Sequence, residues 1–259
     1  MDTESPPAVP RPAASVLLLR DSPNGIEVFM ATRHQGSSFM PGVLVFPGGA
    51  VDAEDADLAP ANGPEDAVSR IAGIREVFEE AGFLLARAKG QDNLVPPVRF
   101  ADLLHRYRAS LAAGEGSFAA MLAVEGLVPA TDLMVPFARW ITPVIRKKRF
   151  DARFFLARAP EGQIGAHDDQ ELINSRWIGA AEALDAVKRG EVKIVFVTRS
   201  NLGLLAKSRT VEEALAAARA RPIVPVEPQL FDHADGPALR IPADAGYDIT
   251  EILVRDVGD

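Results

Sequence analysis

Apolar residues near the start of the chain occur in short runs separated by turn residues, which predicts strands. Residues 14–20 form the first strand, because four apolar residues run together and a turn sequence follows. Residues 26–32 are its expected hairpin partner. A third strand at residues 43–46 is halted by Pro47-Gly48-Gly49, where glycine permits backbone conformations closed to other residues. The early pattern therefore predicts three strands that end at a glycine-rich turn.

Helical periodicity begins at Glu65 and extends to about Leu85. A loop rich in Asp, Ala, Pro and Gly precedes it, up to Pro64. The apolar residues that recur at steps of three and four are Ile71, Ile74, Phe78, Ala81 and Leu85. Gly82 lies in the last turns and is expected to loosen or end the helix there. The segment thus predicts an amphipathic helix with one buried face.

Helices and strands alternate over the rest of the chain. Residues 97–127 are expected to form a helical insertion, because two apolar stripes at helical spacing follow one another. A later helix at residues 180–189 is stopped by Gly190, and another begins at Thr210, whose spacing to Glu213 is that of a capping box. Strands are expected at residues 140–144, 153–157 and 175–178.

The order of these elements indicates one α/β domain. A chain of 259 residues with 47% hydrophobic content can bury a sizeable core. We expect residues 1–13 to be a flexible lead and residues 14–221 to form the main domain. Residues 222–259 alternate strand-like runs with turn residues, so they are expected to be a β-rich extension of the same domain.

Composition and charge narrow the classes of partner. The formal net charge is −8, with both signs spread along the chain, which argues against non-specific binding to nucleic acid or a membrane surface. The absence of cysteine excludes disulfides, thiolate metal sites and a cysteine nucleophile. The first residues lack the apolar stretch of a signal peptide, and no later apolar run approaches a membrane span. We therefore expect a cytoplasmic protein and leave a homodimer open.

Three glutamates carry the candidate chemistry. At about 100° per residue, Glu76, Glu79 and Glu80 fall within about one 100° sector of the helix, opposite its apolar face. Neighbouring carboxylates repel each other, and a divalent cation reverses that effect. Hard oxygen ligands select Mg²⁺, Mn²⁺ or Ca²⁺ over zinc, and Mg²⁺ also binds phosphate oxygens and water. The pattern therefore predicts phosphoanhydride hydrolysis, with Arg75 spaced to pair with Glu79.

The motif resembles the box of the Nudix hydrolase family. Arg75-Glu76-Val77-Phe78-Glu79-Glu80-Ala81-Gly82-Phe83 is similar to its second half, and Phe46-Pro47-Gly48-Gly49 supplies its first glycine. Asp55 stands where the box has its first Glu, but nineteen residues rather than seven separate it from Arg75. We therefore assign no role to Asp55. The resemblance implies a Nudix fold, in which mixed β-sheets lie between helices.

The resemblance also implies roles for individual residues. It implies that Glu79 and Glu80 bind Mg²⁺ or Mn²⁺, with Glu76 nearby and the backbone carbonyl of Gly48 as a further ligand. Glu76 is the first candidate for the general base, and Arg75 is placed with it in the catalytic group. The expected reaction is attack of water on a pyrophosphate phosphorus.

Segments outside the box resemble the coenzyme A and acyl-coenzyme A diphosphatase branch of that family, typified by a peroxisomal mammalian enzyme. These segments are residues 33–42, the long loop before the motif helix, the helical insertion, Trp140-Ile141-Thr142-Pro143 and Arg149-Phe150-Asp151. The likeness extends over about residues 14–206. It implies coenzyme A or an acyl-coenzyme A as substrate, with 3′,5′-ADP and a 4′-phosphopantetheine as products.

Basic and acidic residues outside the motif complete the expected site. The basic run at residues 146–149 is a candidate for holding the extra phosphate of coenzyme A, so Arg146 and Lys148 are proposed to bind substrate together with Arg33. Glu171 lies in a polar loop with Asp168 and Asp169, and it is a further candidate metal ligand. A solvated strand end is the alternative interpretation of the basic run.

Two other functions stay open. A pyrophosphatase for nucleoside diphosphate sugars or dinucleotides would share the glutamates and differ in how the substrate is held. An inactive Nudix fold that only binds a ligand is the alternative outside enzymes. Retention of three mutually repelling glutamates argues against it, because a binding module has no use for them.

Overall fold

The computed structural model describes residues 8–36, 40–168 and 171–258. Residues 37–39 of the predicted branch segment, Asp169 and most of the predicted lead fall outside these ranges. The strands are β1 (Arg11–Ser22), β2 (Gly25–Arg33), β3 (Leu44–Val45), β4 (Gly48–Ala50), β5 (Ala86–Ala88), β6 (Leu127–Pro129), β7 (Val135–Ile141), β8 (Phe150–Arg158), β9 (Leu172–Gly179), β10 (Pro225–Val226), β11 (Gln229–His233), β12 (Gly236–Arg240) and β13 (Glu251–Leu253). The α-helices are α1 (Ala53–Leu58), α2 (Ala67–Glu76), α3 (Pro97–Ala112), α4 (Phe118–Glu125), α5 (Ala180–Lys188), α6 (Phe196–Leu205) and α7 (Val211–Ala220).

The main sheet is organised around β1. This strand pairs in parallel with β8 and antiparallel with β2, and the path through the sheet runs β10-β7-β8-β1-β2-β3. β4 pairs with the first part of β1, and β9 pairs with β2. A parallel pair needs a long crossover. Here that crossover contains the motif helix α2 and both helices of the insertion.

Side chains of β1 alternate between two hydrophobic cores on opposite faces of the main sheet. Leu17 and Leu19 belong to the core formed with α5, α6 and α7, whereas Val16 and Leu18 belong to the core formed with α2, α3 and α4. This alternation is the ordinary consequence of strand geometry. The sheet therefore lies between helices on both faces, which confirms the predicted mixed α/β class.

Several predicted boundaries are wrong. β1 begins at Arg11, which pairs with Phe150, so the lead predicted through residue 13 ends too late. Gly48–Ala50 do not only halt the preceding strand but form β4, because they pair with β1. The loop predicted before the motif helix contains α1, and α6 was not predicted. The early start of β1 and the whole of β4 depend on pairing between strands, which local periodicity does not report.

The insertion and the C-terminal segment attach to this framework in different ways. α3 and α4 leave it through β5 and return through β6, which form a separate antiparallel pair. The C-terminal segment adds β10 to the edge of the main sheet and folds β11, β12 and β13 into a small antiparallel sheet. Within the described residues, every helix is too short or too polar to cross a membrane.

Candidate active site

The three glutamates lie at the end of α2 and in the π-helical turn that continues it. α2 ends at Glu76, the turn spans Val77–Ala81, and Gly82 follows with a φ of 64°. That left-handed conformation favours glycine and ends a helix. Gly82 therefore ends the helix as predicted, and the predicted extension to Leu85 is wrong.

Arg75 joins two of these glutamates to Asp55. Its Nε and Nη2 each donate to one carboxylate oxygen of Asp55 at 3.0 Å. Its Nη1 donates to Glu76 Oε1 at 2.9 Å and to Glu79 Oε2 at 3.2 Å, so the pair predicted at i+4 is present. Nη2 also donates to the carbonyl of Ala50 at 2.9 Å. Because Arg75 is 4% exposed and Asp55 is 0% exposed, their two-point contact is a buried ion pair.

Two glycines let β4 pass close to the glutamates. A Cβ on Gly48 would lie 2.3 Å from the carbonyl oxygen of Ala14, and a Cβ on Gly49 would lie 2.5 Å from Glu76 Oε1. The N–H of Gly48 donates to Glu80 Oε2 at 2.8 Å. A side chain at Gly48 would push β4 away from β1, whereas a side chain at Gly49 would displace the carboxylate of Glu76.

Burial disfavours the charged form of each glutamate. Burial raises the pKa of Glu76 to about 7 and that of Glu79 to about 8, although the charge of Arg75 opposes both shifts. Burial, followed by the charge of Glu76, raises the pKa of Glu80 well above its ordinary value, and the N–H of Gly48 opposes that shift. One guanidinium shared with Asp55 does not offset so many buried acids, so the site favours an added cation.

One cavity of about 1270 Å³ brings the predicted site residues together. Those that line it are Arg33, Gly48, Arg75, Glu76, Glu79, Glu80, Arg146, Lys148 and Glu171. Glu171 Oε2 lies 3.7 Å from Nη2 of Arg33, and the charge of Glu171 contributes to the raised pKa values of Glu76 and Glu80. The cavity therefore has an acidic group of residues and a basic group within one space.

Arg149 departs from the rest of the basic run. It is buried, and it donates to the carbonyls of Thr142 and Ala8 at 2.9 Å each. Its Nη2 lies 2.5 Å from Glu227 Oε1, on the segment that follows β10. Arg149 therefore ties the start of β8 to its neighbours, while the three preceding basic residues line the cavity.

Comparisons with known proteins give this geometry a family. A family model described as the NUDT19 Nudix domain matches residues 57–197, just over half of the 259 residues. The chain belongs to that Nudix family. The match includes Arg75, all three glutamates and Glu171, and it begins after the glycines of β4.

Individual Nudix relatives cover most of the chain. Acyl-coenzyme A diphosphatase NUDT19 of Homo sapiens is 29% identical over an alignment 243 positions long, and that alignment covers 74% of this chain and 60% of the relative. Putative nudix hydrolase 7 of Caenorhabditis elegans is 30% identical over 181 residues, which are 70% of this chain and 55% of the relative. The chain thus spans about 60% of the length of the curated relatives it matches.

A solved Nudix structure confirms the predicted fold. The crystal structure of a NUDIX hydrolase from Alicyclobacillus acidocaldarius is similar with a TM-score of 0.63 and 28% sequence identity. The similarity covers 81% of this chain and 96% of that one. The framework of sheets and helices described above is therefore that of a Nudix domain.

The donor atoms of this Nudix site fit a divalent cation such as Mg²⁺. Glu80 Oε1 is buried and has no hydrogen-bond partner, which leaves a hard oxygen unsatisfied. In residues 8–36, 40–168 and 171–258, no three acidic or histidine side chains already form a ligand cluster, and Glu76 and Glu79 are both bonded to Arg75. A cation with two positive charges would replace part of that contact and offset the buried carboxylates.

Sequence reasoning missed two contributions to the Nudix site. Asp55 was given no role, although it is the buried partner of Arg75; its place in the spacing of the box was the available signal. Pro228, Leu239 and Val257, all from the C-terminal segment, line the cavity. No sequence pattern connected that segment with the glutamates.

Proposed function

We propose that this Nudix domain is a Mg²⁺-dependent hydrolase that cleaves a pyrophosphate linkage. The observation that carries the proposal is the convergence of Glu76, Glu79 and Glu80, all with raised pKa values, on a cavity that also holds basic residues. Buried carboxylates suit a divalent cation, and basic side chains suit phosphate groups. A substrate that carries phosphates and is bound with a cation meets both requirements.

Coenzyme A or an acyl-coenzyme A is the proposed substrate, with 3′,5′-ADP and 4′-phosphopantetheine or its acyl form as products. Several relatives are named acyl-coenzyme A diphosphatase, which supports this choice. The size of the cavity also supports this choice. Pockets for small ligands typically measure about 300–1,000 Å³. The cavity of about 1270 Å³ is larger than that, which suits a substrate as large as coenzyme A. Arg146 and Lys148, with Arg33, are proposed to contact the phosphates.

Each acidic residue has a proposed task. Glu79 and Glu80 would hold Mg²⁺ or Mn²⁺, with the carbonyl of Gly48 and Glu171 as further ligands. A cation held there would neutralise phosphate charge and make water more acidic. Glu76 is the general base or a further ligand, since its carboxylate lines the cavity together with those of Glu79 and Glu80.

The bond changes follow from these tasks. The oxygen of a water molecule bonds to one phosphorus, and the bond from that phosphorus to the bridging oxygen breaks. A carboxylate accepts the proton of the water, and the bridging oxygen leaves with the other phosphate. Arg75 acts as a positioning residue, because it fixes Glu76 and Glu79 while it is anchored on Asp55.

The decisive experiment measures product release with Mg²⁺ or Mn²⁺ across coenzyme A, an acyl-coenzyme A, NADH, ADP-ribose and a UDP-sugar. Coenzyme A compounds are expected to be hydrolysed fastest, and EDTA is expected to abolish the reaction. Preference for the UDP-sugar or NADH would replace the proposed substrate with the alternative class. If all five compounds stay intact while one binds, the chain is a ligand-binding Nudix module instead.

The cytoplasmic location and the homodimer stay predictions from the sequence. Fractionation of cells that produce the chain would test the location, and light scattering would test the oligomeric state.

A further inference from the structure

Arg108 extends from the helical insertion to the turn that carries the proposed metal ligands. It lies on α3, and its Nε donates to the backbone carbonyl of Glu79 at 3.0 Å. Its Nη2 donates to the carbonyl of Glu80 at 2.8 Å and to the carbonyl of Ala166 at 2.6 Å. One guanidinium thus contacts the peptide groups of two proposed ligands and a third carbonyl from the loop between β8 and β9.

The carbonyls of Glu79 and Glu80 need such a donor. The last carbonyls of a helix have no N–H within the helix to bond, and an arginine side chain can satisfy them. Gly82 leaves room for this contact, since a Cβ there would lie 2.9 Å from Nη1 of Arg108. The glycine that ends the motif helix therefore also admits the arginine.

The loop that contains Ala166 is attached to the same turn by further bonds. The N–H of Ala166 donates to the carbonyl of Ala81 at 3.0 Å. The buried side chain of Gln163 accepts from the N–H of Leu84 at 2.8 Å and donates to its carbonyl at 3.2 Å. Gly165 lies so close to the turn that a Cβ on it would be 1.8 Å from the ring of Phe83. This loop therefore follows the end of the motif helix closely.

The far end of the loop reaches the cavity. Asp168 accepts the N–H groups of Glu171 and Leu172, at 3.1 and 2.9 Å, which fixes the chain where it enters β9. Glu171 then lines the same cavity as Glu76 and Glu80. Arg108 sits between the turn and the loop, so it contacts both backbones that present acidic residues to the cavity.

We propose that Arg108 is a positioning residue for the metal site, and that it fixes the backbone of Glu79 and Glu80 relative to the loop that leads to Glu171. It borders the groove between α3 and this loop, and it is not among the described residues that line the large cavity. It therefore acts through the carboxylates. This inference rests on the proposed function, because it assumes that those carboxylates hold a cation.

The test uses the full chain and measures Mn²⁺ affinity by calorimetry for wild type, Arg108→Gln and Arg108→Lys. The sign of the change separates two effects. Removal of a positive charge near a cation site strengthens cation binding by electrostatics alone. Loss of positioning weakens it, and partners that orient metal ligands are typically worth about 10- to 100-fold in metal affinity or activity.

We expect Arg108→Gln to bind Mn²⁺ about tenfold more weakly or worse, with kcat lowered by a similar factor and KM changed about twofold or less. Arg108→Lys keeps the charge but not the two-pronged geometry, so an intermediate affinity is expected. Arg106→Gln is the matched control, since Arg106 lies on the same helix, is exposed, and pairs with Asp102 and Glu125. Its Mn²⁺ affinity is expected to change about twofold or less.

Unchanged or tighter Mn²⁺ binding by a folded Arg108→Gln protein would overturn the proposal. Where that variant does not fold, wild-type affinity in Arg108→Lys would overturn it equally. Failure of the proposed function gives a different result, because wild type itself would then bind no Mn²⁺ and hydrolyse no pyrophosphate.

Discussion

The two sides of Arg75 show how one guanidinium serves two purposes. On the inner side it meets Asp55, which is completely buried and contacts it through two hydrogen bonds. On the outer side it meets Glu76 and Glu79, which line the cavity and have raised pKa values. The inner pair is nearly balanced in charge, whereas the outer carboxylates are in excess. The inner side therefore supports the fold, and the outer side supports the proposed chemistry.

The largest expected effect is on the outer side. Glu79→Gln and Glu80→Gln should each lower kcat by at least about 10²-fold, because each removes a charge that the cation needs. The assay is steady-state hydrolysis of the preferred substrate from the panel. Turnover at the wild-type rate in either variant would contradict the assignment of these residues as ligands.

The Glu80→Gln variant, although expected to lose activity, is not expected to lose stability. A carboxylate whose pKa is raised by folding destabilises the folded state at pH values above its unfolded pKa, where the unfolded chain carries its charge in water. Glu80→Gln, measured without metal at pH 7, is therefore expected to have an unfolding free energy equal to wild type or higher. Mg²⁺ should raise the Tm of wild type and leave that of Glu80→Gln unchanged.

Replacement of Asp55, on the inner side of Arg75, is expected to lower the stability of the fold. Asp55→Ala leaves the buried guanidinium without its main partner, and loss of one member of a buried ion pair typically costs about 3–5 kcal/mol. Urea unfolding would measure this cost. Asp57→Ala, an exposed position on the same helix α1, is the control and should change stability by about 0.5 kcal/mol or less. Equal stabilities of the two variants would remove the distinction between the sides of Arg75.

Gly49→Ala tests the contact between β4 and the outer side. The added Cβ would overlap the carboxylate of Glu76, so this side chain must move. We expect about 10- to 100-fold lower kcat, the range seen when groups that orient a site are lost. Gly203→Ala, in open space on α6, is the control and should be neutral or slightly stabilising. Full activity of Gly49→Ala would show that Glu76 tolerates displacement.

The smallest effect is expected at the basic part of the cavity. Arg146→Ala should raise KM for coenzyme A by about tenfold or less, since charge-assisted contacts near solvent are worth about 1 kcal/mol. KM for dephospho-coenzyme A, which lacks the 3′-phosphate, should change less. Equal effects on both compounds would place Arg146 elsewhere along the substrate.

Local sequence patterns predicted the motif helix, its end at Gly82, the shared face of the glutamates and the Arg75–Glu79 pair. All of these depend on residues within one or two helical turns. The patterns did not reveal Asp55 as the partner of Arg75, because the contact crosses from α1 to α2 and is set by packing. They placed Arg149 with the substrate-binding run, although its side chain turns inward to carbonyl oxygens. Side-chain direction at a strand start is a tertiary property.

The cavity could not be predicted from the sequence for a similar reason. Its wall includes Leu239 and Val257, which are far from the motif in the chain and reach it because β10 pairs with β7 and the last residues meet the start of α6. No period of 2 or 3.6 residues encodes such a meeting.

The short pair of strands at the base of the insertion has a consequence for chain length. Ala86 lies opposite Pro129, so the two ends of the intervening segment are held side by side. Once the ends of a loop are joined in this way, doubling its length costs only about 0.6 kcal/mol in closure entropy. The paired strands β5 and β6 can therefore hold insertions of very different length with little thermodynamic penalty. The condition is that one side chain of the insertion still contacts the carbonyls of Glu79 and Glu80.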